Sequence, residues 1–157
     1  MHTVTLVFDN ESQEKINKIR NILNDNNIKS DLVLNHISIA GYNEDLSKDV
    51  INQISKYFKN IELLELNIIE VNTFNNEKNV IYLEFDKLEE LKKIKQDFLD
   101  YMKKYNLDLK EYYKDDWIPH STIAIGITND ELDKGYRLLQ KEIVFPIKVV
   151  LNKVDIL

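Results

Sequence analysis

Two short segments of the sequence carry the side chains best suited to chemistry, and the two segments match one another. The first runs Leu-Asn-His-Ile-Ser-Ile-Ala-Gly and contains His36 and Ser38, and the second runs Pro-His-Ser-Thr-Ile-Ala-Ile-Gly and contains His120 and Thr122. Successive side chains of a β-strand point to opposite faces, so residues two apart share a face. We therefore predict two strands that each present a histidine beside a hydroxyl.

Such a pair of strands suits phosphodiester chemistry. The reaction needs one group that takes a proton from the attacking oxygen and another that gives a proton to the leaving oxygen. Unperturbed imidazole has a pKa of about 6.5, so a neutral and a protonated histidine can coexist near neutral pH. The hydroxyls of Ser38 and Thr122 would donate hydrogen bonds to the nonbridging phosphate oxygens, where charge builds up in the transition state.

Other interpretations of these histidines fit the sequence less well. A metal site would need further histidine or carboxylate ligands, and neither segment has an adjacent Asp, Glu or His. A serine nucleophile would need a carboxylate to orient its histidine, and none is evident. A lone strand histidine is most often structural, but the matching positions of His36 and His120 argue against that. We interpret the third histidine, His2, as incidental because it lies near the N-terminus.

The two motifs resemble those of the 2H phosphoesterase superfamily. The Trp-x-Pro-His-x-Thr form of the second motif, from Trp117 to Thr122, most resembles its 2′-5′ RNA ligase (cyclic phosphodiesterase) family. The resemblance implies two pseudo-symmetric lobes around a central cleft and metal-free action on 2′,3′-cyclic phosphates, related cyclic nucleotides or 2′-5′ linkages. It also implies that His36, Ser38, His120 and Thr122 are catalytic, with Ser38 standing where threonine is commoner.

The elements that must position the motifs alternate between strands and helices. Alternating or continuous apolar residues predict β structure at residues 3–8, 31–40, 61–74, 80–85, 117–126, 145–151 and 154–157. Apolar residues at helical spacing predict four helices, which begin near residues 10, 45, 86 and 128. Residues 75–78 predict the turn of a hairpin, and residues 106–116 predict a polar loop that leads to His120. The order is β-α-β-α-β in each half, with one motif on the second strand of each.

Capping residues predict where three of the helices begin. The three signals are Asn10 with Gln13, Asp86 with Glu89, and Thr128 with Glu131. Together the elements predict an α+β fold. We expect one bilobal domain over residues 1–157, with lobes formed mainly from about 1–75 and 76–157 and with exchange of the terminal strands as an option. Each lobe would be an antiparallel-rich sheet with helices on one side, and the motif strands would face each other across the cleft.

The composition is that of an ordinary globular domain. With 43% hydrophobic and 31% charged residues, the 157-residue chain can bury a core and does not resemble a disordered protein. The absence of cysteine excludes disulfides and thiolate metal sites, and it suits a cytoplasmic protein. The N-terminal residues lack a signal-peptide pattern, and no apolar run approaches the roughly 20 residues of a membrane span.

A net charge of −6 argues against an extended nucleic-acid surface, but it leaves room for a short RNA or a nucleotide in a local pocket. Aromatic residues near the motifs are candidates for stacking on a base, chiefly Trp117, Tyr42 and Tyr113, with Tyr112 as a further one. For each of them, packing in the core or between the lobes is the alternative. We expect no cofactor, and we favour a monomer.

The predicted function is metal-independent hydrolysis of 2′,3′-cyclic phosphates on nucleotides or RNA ends, with the two histidines as general acid and base. Reversible 2′-5′ linkage chemistry would use the same groups. Two alternatives stay open at this point. One is a noncatalytic nucleotide- or RNA-binding module with the same fold, and the other is an enzyme that acts on 2′-5′ or cyclic oligonucleotide signals.

Overall fold

Six β-strands and four α-helices make up the part of the chain that the structure, a computed structural model, describes: residues 2–60, 64–114 and 116–157. The strands are β1 (Thr3–Phe8), β2 (His36–Gly41), β3 (Leu64–Phe74), β4 (Val80–Phe85), β5 (His120–Ile125) and β6 (Ile147–Ile156). The helices are α1 (Asn10–Asp25), α2 (Lys48–Phe58), α3 (Leu88–Met102) and α4 (Asn129–Glu142). Two single-turn 3₁₀ helices, Lys103–Tyr105 and Glu111–Tyr113, lie between α3 and β5.

All six strands join one antiparallel sheet in the order β2-β1-β6-β3-β4-β5. Strands β1–β3 come from the first half of the chain and β4–β6 from the second. Strand β3 lies beside β4 and β6 lies beside β1, so the two halves occupy equivalent positions in the strand order. The predicted α+β class with antiparallel strands is confirmed, and its strands form a single continuous sheet. The division into two lobes near residue 75 stays a prediction.

The two motif strands, β2 and β5, form the two edges of this sheet. They nevertheless contact each other, which requires the sheet to curl until its edges approach. The strands next to them, β1 and β4, are buried at successive positions, so both of their faces are covered. Helix α1 packs against α4, and α2 packs against α3 through Phe58 and Phe98, whose ring centroids are 5.0 Å apart.

The second strand is shorter than the sequence predicts, which corrects the predicted range of 31–40. Its ladder with β1 begins where Val7 pairs with His36. The preceding Leu32, Val33 and Leu34 are exposed, Leu32 by 62%. Their run of three consecutive apolar residues therefore does not mark a buried strand, because the ladder with β1 begins only at His36.

Two helices begin at residues other than those predicted. Helix α1 is capped by Asp9, whose carboxylate accepts a 2.8 Å hydrogen bond from the Ser12 main-chain N–H, and Asn10 is already helical. Helix α2 begins at Lys48 after the cap residue Ser47, three residues later than predicted. In both cases a carboxylate or hydroxyl one or two residues away from the predicted start supplies the acceptor.

The predicted capping box at Asp86 is wrong, and the one at Thr128 is confirmed. The Asp86 carboxylate accepts hydrogen bonds from the main-chain N–H and the side-chain amide of Asn67, at 2.7 and 2.8 Å. Helix α3 therefore starts after Lys87, which has a left-handed φ of 55° and no side-chain cap bond. At α4, the Thr128 hydroxyl and the Glu131 carboxylate each accept from the main-chain N–H of the other residue.

The remaining β predictions agree with the structure in part. The hairpin of β3 and β4 is confirmed, and residues 61–63 of the predicted 61–74 strand lie outside the described residues. The two predicted C-terminal segments form one strand, β6. The predicted loop at 106–116 contains the 3₁₀ turn Glu111–Tyr113, and its residue 115 is not among those described. None of the helices in the described part of the chain has the length and hydrophobicity needed to cross a membrane.

Replacing Thr128 by Ala should lower the free energy of unfolding by about 1 kcal/mol, because the Glu131 main-chain N–H loses its cap acceptor. Urea denaturation followed by circular dichroism measures this change. Glu131→Gln is the matched control, since glutamine also serves at this position of a capping box. A Thr128→Ala variant as stable as the parent protein would contradict the assigned cap.

Candidate active site

The two motifs have the same pattern of burial. In β2, His36 and Ser38 are half-buried while the intervening Ile37 is fully buried. In β5, His120 and Thr122 are half-buried while Ser121 between them is fully buried. Strand alternation therefore turns each histidine and its hydroxyl neighbour away from the core on a common face.

Each histidine ring is held by the main-chain carbonyl two residues before it. The Nδ1 atom of His36 lies 2.7 Å from the carbonyl oxygen of Leu34, and the Nδ1 atom of His120 lies 2.6 Å from that of Ile118. A carbonyl oxygen can only accept, so each Nδ1 carries a hydrogen. In the neutral ring the lone pair is then on Nε2, so Nε2 is the atom of each histidine that can accept a proton.

Two pockets lie beside the motif strands. A pocket of about 300 Å³ is lined by His36 and Thr122, and also by Arg20 and Val33. A second pocket of about 480 Å³ is lined by His120 and Thr122, together with the residues Phe74, Lys78 and Tyr112. Thr122 and Ile125 line both pockets, so Thr122 borders the space beside each histidine.

Aromatic side chains surround His120. Phe74 and Tyr82 stack with ring centroids 4.2 Å apart, and the His120 ring meets both edge-on at 5.5 and 5.2 Å. The Tyr112 hydroxyl lies 2.7 Å from Nε2 of His120. Because Nδ1 of His120 donates to Ile118, the Tyr112 hydroxyl donates to the Nε2 of the neutral ring.

These surroundings favour the neutral form of His120. Burial lowers its pKa below the ordinary value, and the nearby His36 lowers it further by charge repulsion. The Ile118 carbonyl and the Glu84 carboxylate, which pairs across from His120 on β4, oppose that shift. The net direction of the pKa is downward, so His120 is suited to accept a proton near neutral pH.

The three residues predicted to stack on a base do not line either pocket. Tyr42, Trp117 and Tyr113 are buried in the core, with 3%, 7% and 7% of their surface exposed. The ring of Trp117 packs under the Lys95 ammonium, at 4.5 Å from the ring centroid. The structure brings Tyr112 to the pocket instead, and Tyr112 is 54% exposed.

Tyr113 has a different relation to the motifs. Its hydroxyl is hydrogen-bonded to the side chains of Ser38 and Thr3. Its ring packs so closely on Gly41 that a Cβ atom there would lie 2.8 Å from Tyr113 Cε2, which explains the glycine. The adjacent tyrosines of one 3₁₀ turn therefore reach different motifs, Tyr112 the His120 ring and Tyr113 the Ser38 hydroxyl.

The sequence reasoning missed Arg20, which lies beneath both motifs. Arg20 is only 4% exposed, and its guanidinium donates hydrogen bonds to Asn35, Ser30 and the main chain of β5. The sequence does indicate that Arg20 is buried, because Arg20 falls on the apolar face of α1 with Ile16, Ile19 and Leu23. It is also one of only two arginines in a lysine-rich chain.

Potential metal ligands do not cluster at this site. Among the residues described by the structure, no group of three or more His, Cys, Asp or Glu side chains converges to hold a metal ion. His2 lies elsewhere, where its Nδ1 accepts a hydrogen bond from the Leu46 main-chain N–H at 3.3 Å.

Comparison with known protein families gives a match to the model of the 2′-5′ RNA ligase superfamily over residues 7–157, which is nearly the whole chain. Both motifs lie inside the matched range. A search of curated proteins found no match.

Replacing His36 by Asn should raise the pKa of His120, because the substitution removes the positive charge that repels protonated His120. Titration of the His120 ring signals by NMR measures the change without any substrate. His2→Asn is the matched control and should leave the titration of His120 as it was. An unchanged or lower pKa in His36→Asn would show that the two rings do not interact.

Proposed function

Because the chain belongs to the 2′-5′ RNA ligase superfamily, we propose that it is a metal-independent phosphodiesterase that hydrolyses 2′,3′-cyclic phosphates of nucleotides or RNA ends. The membership confirms the resemblance to this superfamily that the sequence suggested. The observation that best supports the proposed activity is the matched pair of histidines, each held by a carbonyl bond at Nδ1 and each lining a pocket that Thr122 also lines.

In the proposed reaction, His120 acts as the general base. Neutral His120 takes a proton on Nε2 from a water molecule, whose oxygen forms a bond to phosphorus. Protonated His36 gives its Nε2 proton to the ribose oxygen as the bond from that oxygen to phosphorus breaks and the ring opens. Proton exchange with solvent then restores both histidines. The lowered pKa of His120 supports this assignment over the reverse one.

The hydroxyls would stabilise the charge on the phosphate. Thr122 lines both pockets and would donate to a nonbridging oxygen there. Ser38, which shares a face of β2 with His36 and is hydrogen-bonded to Tyr113, would supply the second donor. The larger pocket has the volume expected of a small-molecule site, and its aromatic side chains Phe74 and Tyr112 suit a nucleobase. To bring a phosphate to His120, the substrate must share or displace the Tyr112 hydrogen bond.

The proposed enzyme is a cytoplasmic monomer that needs no cofactor, in keeping with a chain that has no cysteine. With a ribose 5′-hydroxyl in place of the attacking water, the same two histidines would open the cyclic phosphate at the bond from O3′ to phosphorus and form a 2′-5′ linkage, and the reverse of that step would cleave the linkage. The substrates are accordingly small nucleotides or short RNA ends that fit a local pocket on an acidic protein.

Replacing either His36 or His120 by Ala should lower the turnover of 2′,3′-cyclic mononucleotides by roughly 10²- to 10⁴-fold, since each removes one proton-transfer group. The rate is measured with EDTA present, and His2→Ala is the control that should retain full activity. Full activity in His36→Ala or His120→Ala would refute the assigned roles. Loss of wild-type activity in EDTA would refute the metal-free reaction, and tight binding without turnover would favour a noncatalytic module.

Replacing Thr122 by Ala should lower kcat by about 10²-fold, because one donor to the charged phosphate oxygens is lost. Thr122→Ser keeps the hydroxyl and should retain most of the activity. Steady-state kinetics on the same cyclic nucleotides separates kcat from KM. If Thr122→Ala and Thr122→Ser have equal rates, the hydroxyl has no part in the reaction.

A further inference from the structure

Within the described part of the chain, strands β2 and β5 do not pair with each other in the strand order, so no ladder of main-chain hydrogen bonds sets the distance between the two motifs. In the strand order of the described residues, β2 and β5 are the outermost strands, with four strands between them. Proton transfer at both ends of one phosphate nevertheless requires the two imidazoles to keep a fixed separation. Some other contact must therefore join the two edges of the sheet.

The Arg20 guanidinium makes one such contact. Its Nε donates to the side-chain oxygen of Asn35 at 2.7 Å, directly before His36 in the chain. On the other side, Nη2 donates to the main-chain oxygen of Thr122 at 2.8 Å, and Nη1 donates to that of Ile123 at 2.9 Å. A single planar group thus spans from the residue before the first histidine to the backbone of the second motif strand.

The Asn35 end of this bridge is itself held firmly. Asn35 is fully buried, and its main-chain N–H and side-chain amide both donate to the Gln13 side-chain oxygen, at 2.8 and 2.7 Å. The amide also donates to Asn17 at 2.9 Å, and the Gln13 amide donates back to the Asn35 carbonyl at 2.8 Å. These bonds therefore fix the position of Asn35 relative to α1, the helix that carries Arg20.

The β5 end is held from a second direction. The Ser30 hydroxyl donates to the Ile123 carbonyl and accepts from Arg20 Nη1 at 3.3 Å. Ser30 is fixed in turn by Asn24, which accepts from the Ser30 main-chain N–H and donates to its carbonyl, at 2.8 and 2.7 Å. Helix α1 is therefore joined to β5 in two ways. Arg20 bonds to the β5 main chain directly, and Asn24 holds Ser30, which bonds to the Ile123 carbonyl.

We propose that Arg20 is a positioning residue that sets the separation of His36 from the His120 and Thr122 strand by joining Asn35 to the β5 main chain. This inference rests on the proposed function, in which both histidines act on one phosphate. The five donors of arginine lie in one rigid plane, whereas a lysine ammonium is a single point on a flexible stem, so lysine cannot span both ends.

The surroundings of Arg20 give its charge a second effect. The groups that accept its hydrogen bonds are carbonyl, amide and hydroxyl oxygens, and burial lowers its pKa to about 10 while Asp31 raises it. Arg20 therefore stays protonated at neutral pH. Because it lines the pocket of His36 and Thr122, its positive charge lies close to where a phosphate would bind. A test must separate this charge from the geometry of the bridge.

Arg20→Lys retains the charge and loses the planar fork, and Arg20→Met loses both. The matched controls are Arg137→Lys and Arg137→Met at the other arginine of the chain, whose side chain is 77% exposed and pairs with Asp133 on the same helix. We expect both Arg20 variants to lower kcat on 2′,3′-cyclic nucleotides by about 10²-fold with little change in KM. The control variants should behave as the wild type.

NMR of the histidine rings in the free protein tests the same proposal without substrate. Both Arg20 variants should move the ring signals of His36 and His120, while the Arg137 variants leave them in place. If the wild type fails to turn over cyclic phosphates, the proposed function fails, and the ring signals still decide whether Arg20 positions the histidines.

Wild-type kcat or unmoved ring signals in Arg20→Lys would overturn the proposal. So would a change confined to KM in Arg20→Met, which would mean that Arg20 only attracts the anion. Circular dichroism and thermal unfolding establish that each variant is folded at the assay temperature. If neither Arg20 variant folds, Ser30→Ala tests the proposal instead, because it removes the hydroxyl that bonds to both Arg20 and the Ile123 carbonyl. It should lower kcat several-fold and move the ring signals. A Ser30→Ala protein identical to the wild type would overturn the proposal.

Discussion

A buried cation that must find oxygen acceptors constrains the rest of this structure. Polar groups taken out of water are stable only when they are hydrogen-bonded, and a guanidinium is especially costly to leave without partners. Arg20 meets this requirement with Asn35, Ser30 and two carbonyls of β5. The curl of the sheet, the course of the segment before β2 and the position of β5 must all satisfy these bonds at once.

A second connection joins the motifs at the rim of the cleft. The 3₁₀ turn Glu111–Tyr113 places Tyr112 on the His120 ring and Tyr113 on the Ser38 hydroxyl. Main-chain hydrogen bonds anchor this segment to the end of β2, from the Lys110 N–H to the Gly41 carbonyl and from the Asn43 N–H to the Asp108 carbonyl, both at 2.9 Å. The motifs are therefore tied from α1 below and from this turn above, so their relative position depends on both halves of the chain.

The sequence predicts what depends on local pattern. Strand alternation places His36 beside Ser38 and His120 beside Thr122, and helical spacing with a capping box places the start of α4 at Thr128. It fails where a distant partner decides the outcome. Asp86 has the sequence of a helix cap, but Asn67, which lies far away in the chain, takes up its carboxylate. The aromatic residues that reach the pocket could not be chosen by sequence either, because neighbouring tyrosines of one turn face opposite ways.

The importance of Arg20 was not predicted, because amphipathic periodicity treats a charged residue on an apolar face as an exception. Such a residue must have buried partners.

The two halves repeat one order of strands, yet they give their histidines different surroundings, and this asymmetry bears on the direction of the reaction. His120 lies among Phe74, Tyr82 and Tyr112, where desolvation disfavours the imidazolium. His36 faces Val7 across the ladder and opens on a pocket that includes Lys29 and Asp31. In the proposed reaction, His120 takes a proton from the attacking oxygen whether that oxygen belongs to water or to a 5′-hydroxyl, so hydrolysis and ligation both start from the neutral His120 that its aromatic surroundings favour. Cleavage of a 2′-5′ linkage is the reverse of ligation, and by microscopic reversibility it would start from protonated His120, the form that those surroundings disfavour. The resting protein is accordingly prepared to open a cyclic phosphate, although the equilibrium between cyclic phosphate and products is set by the substrates alone.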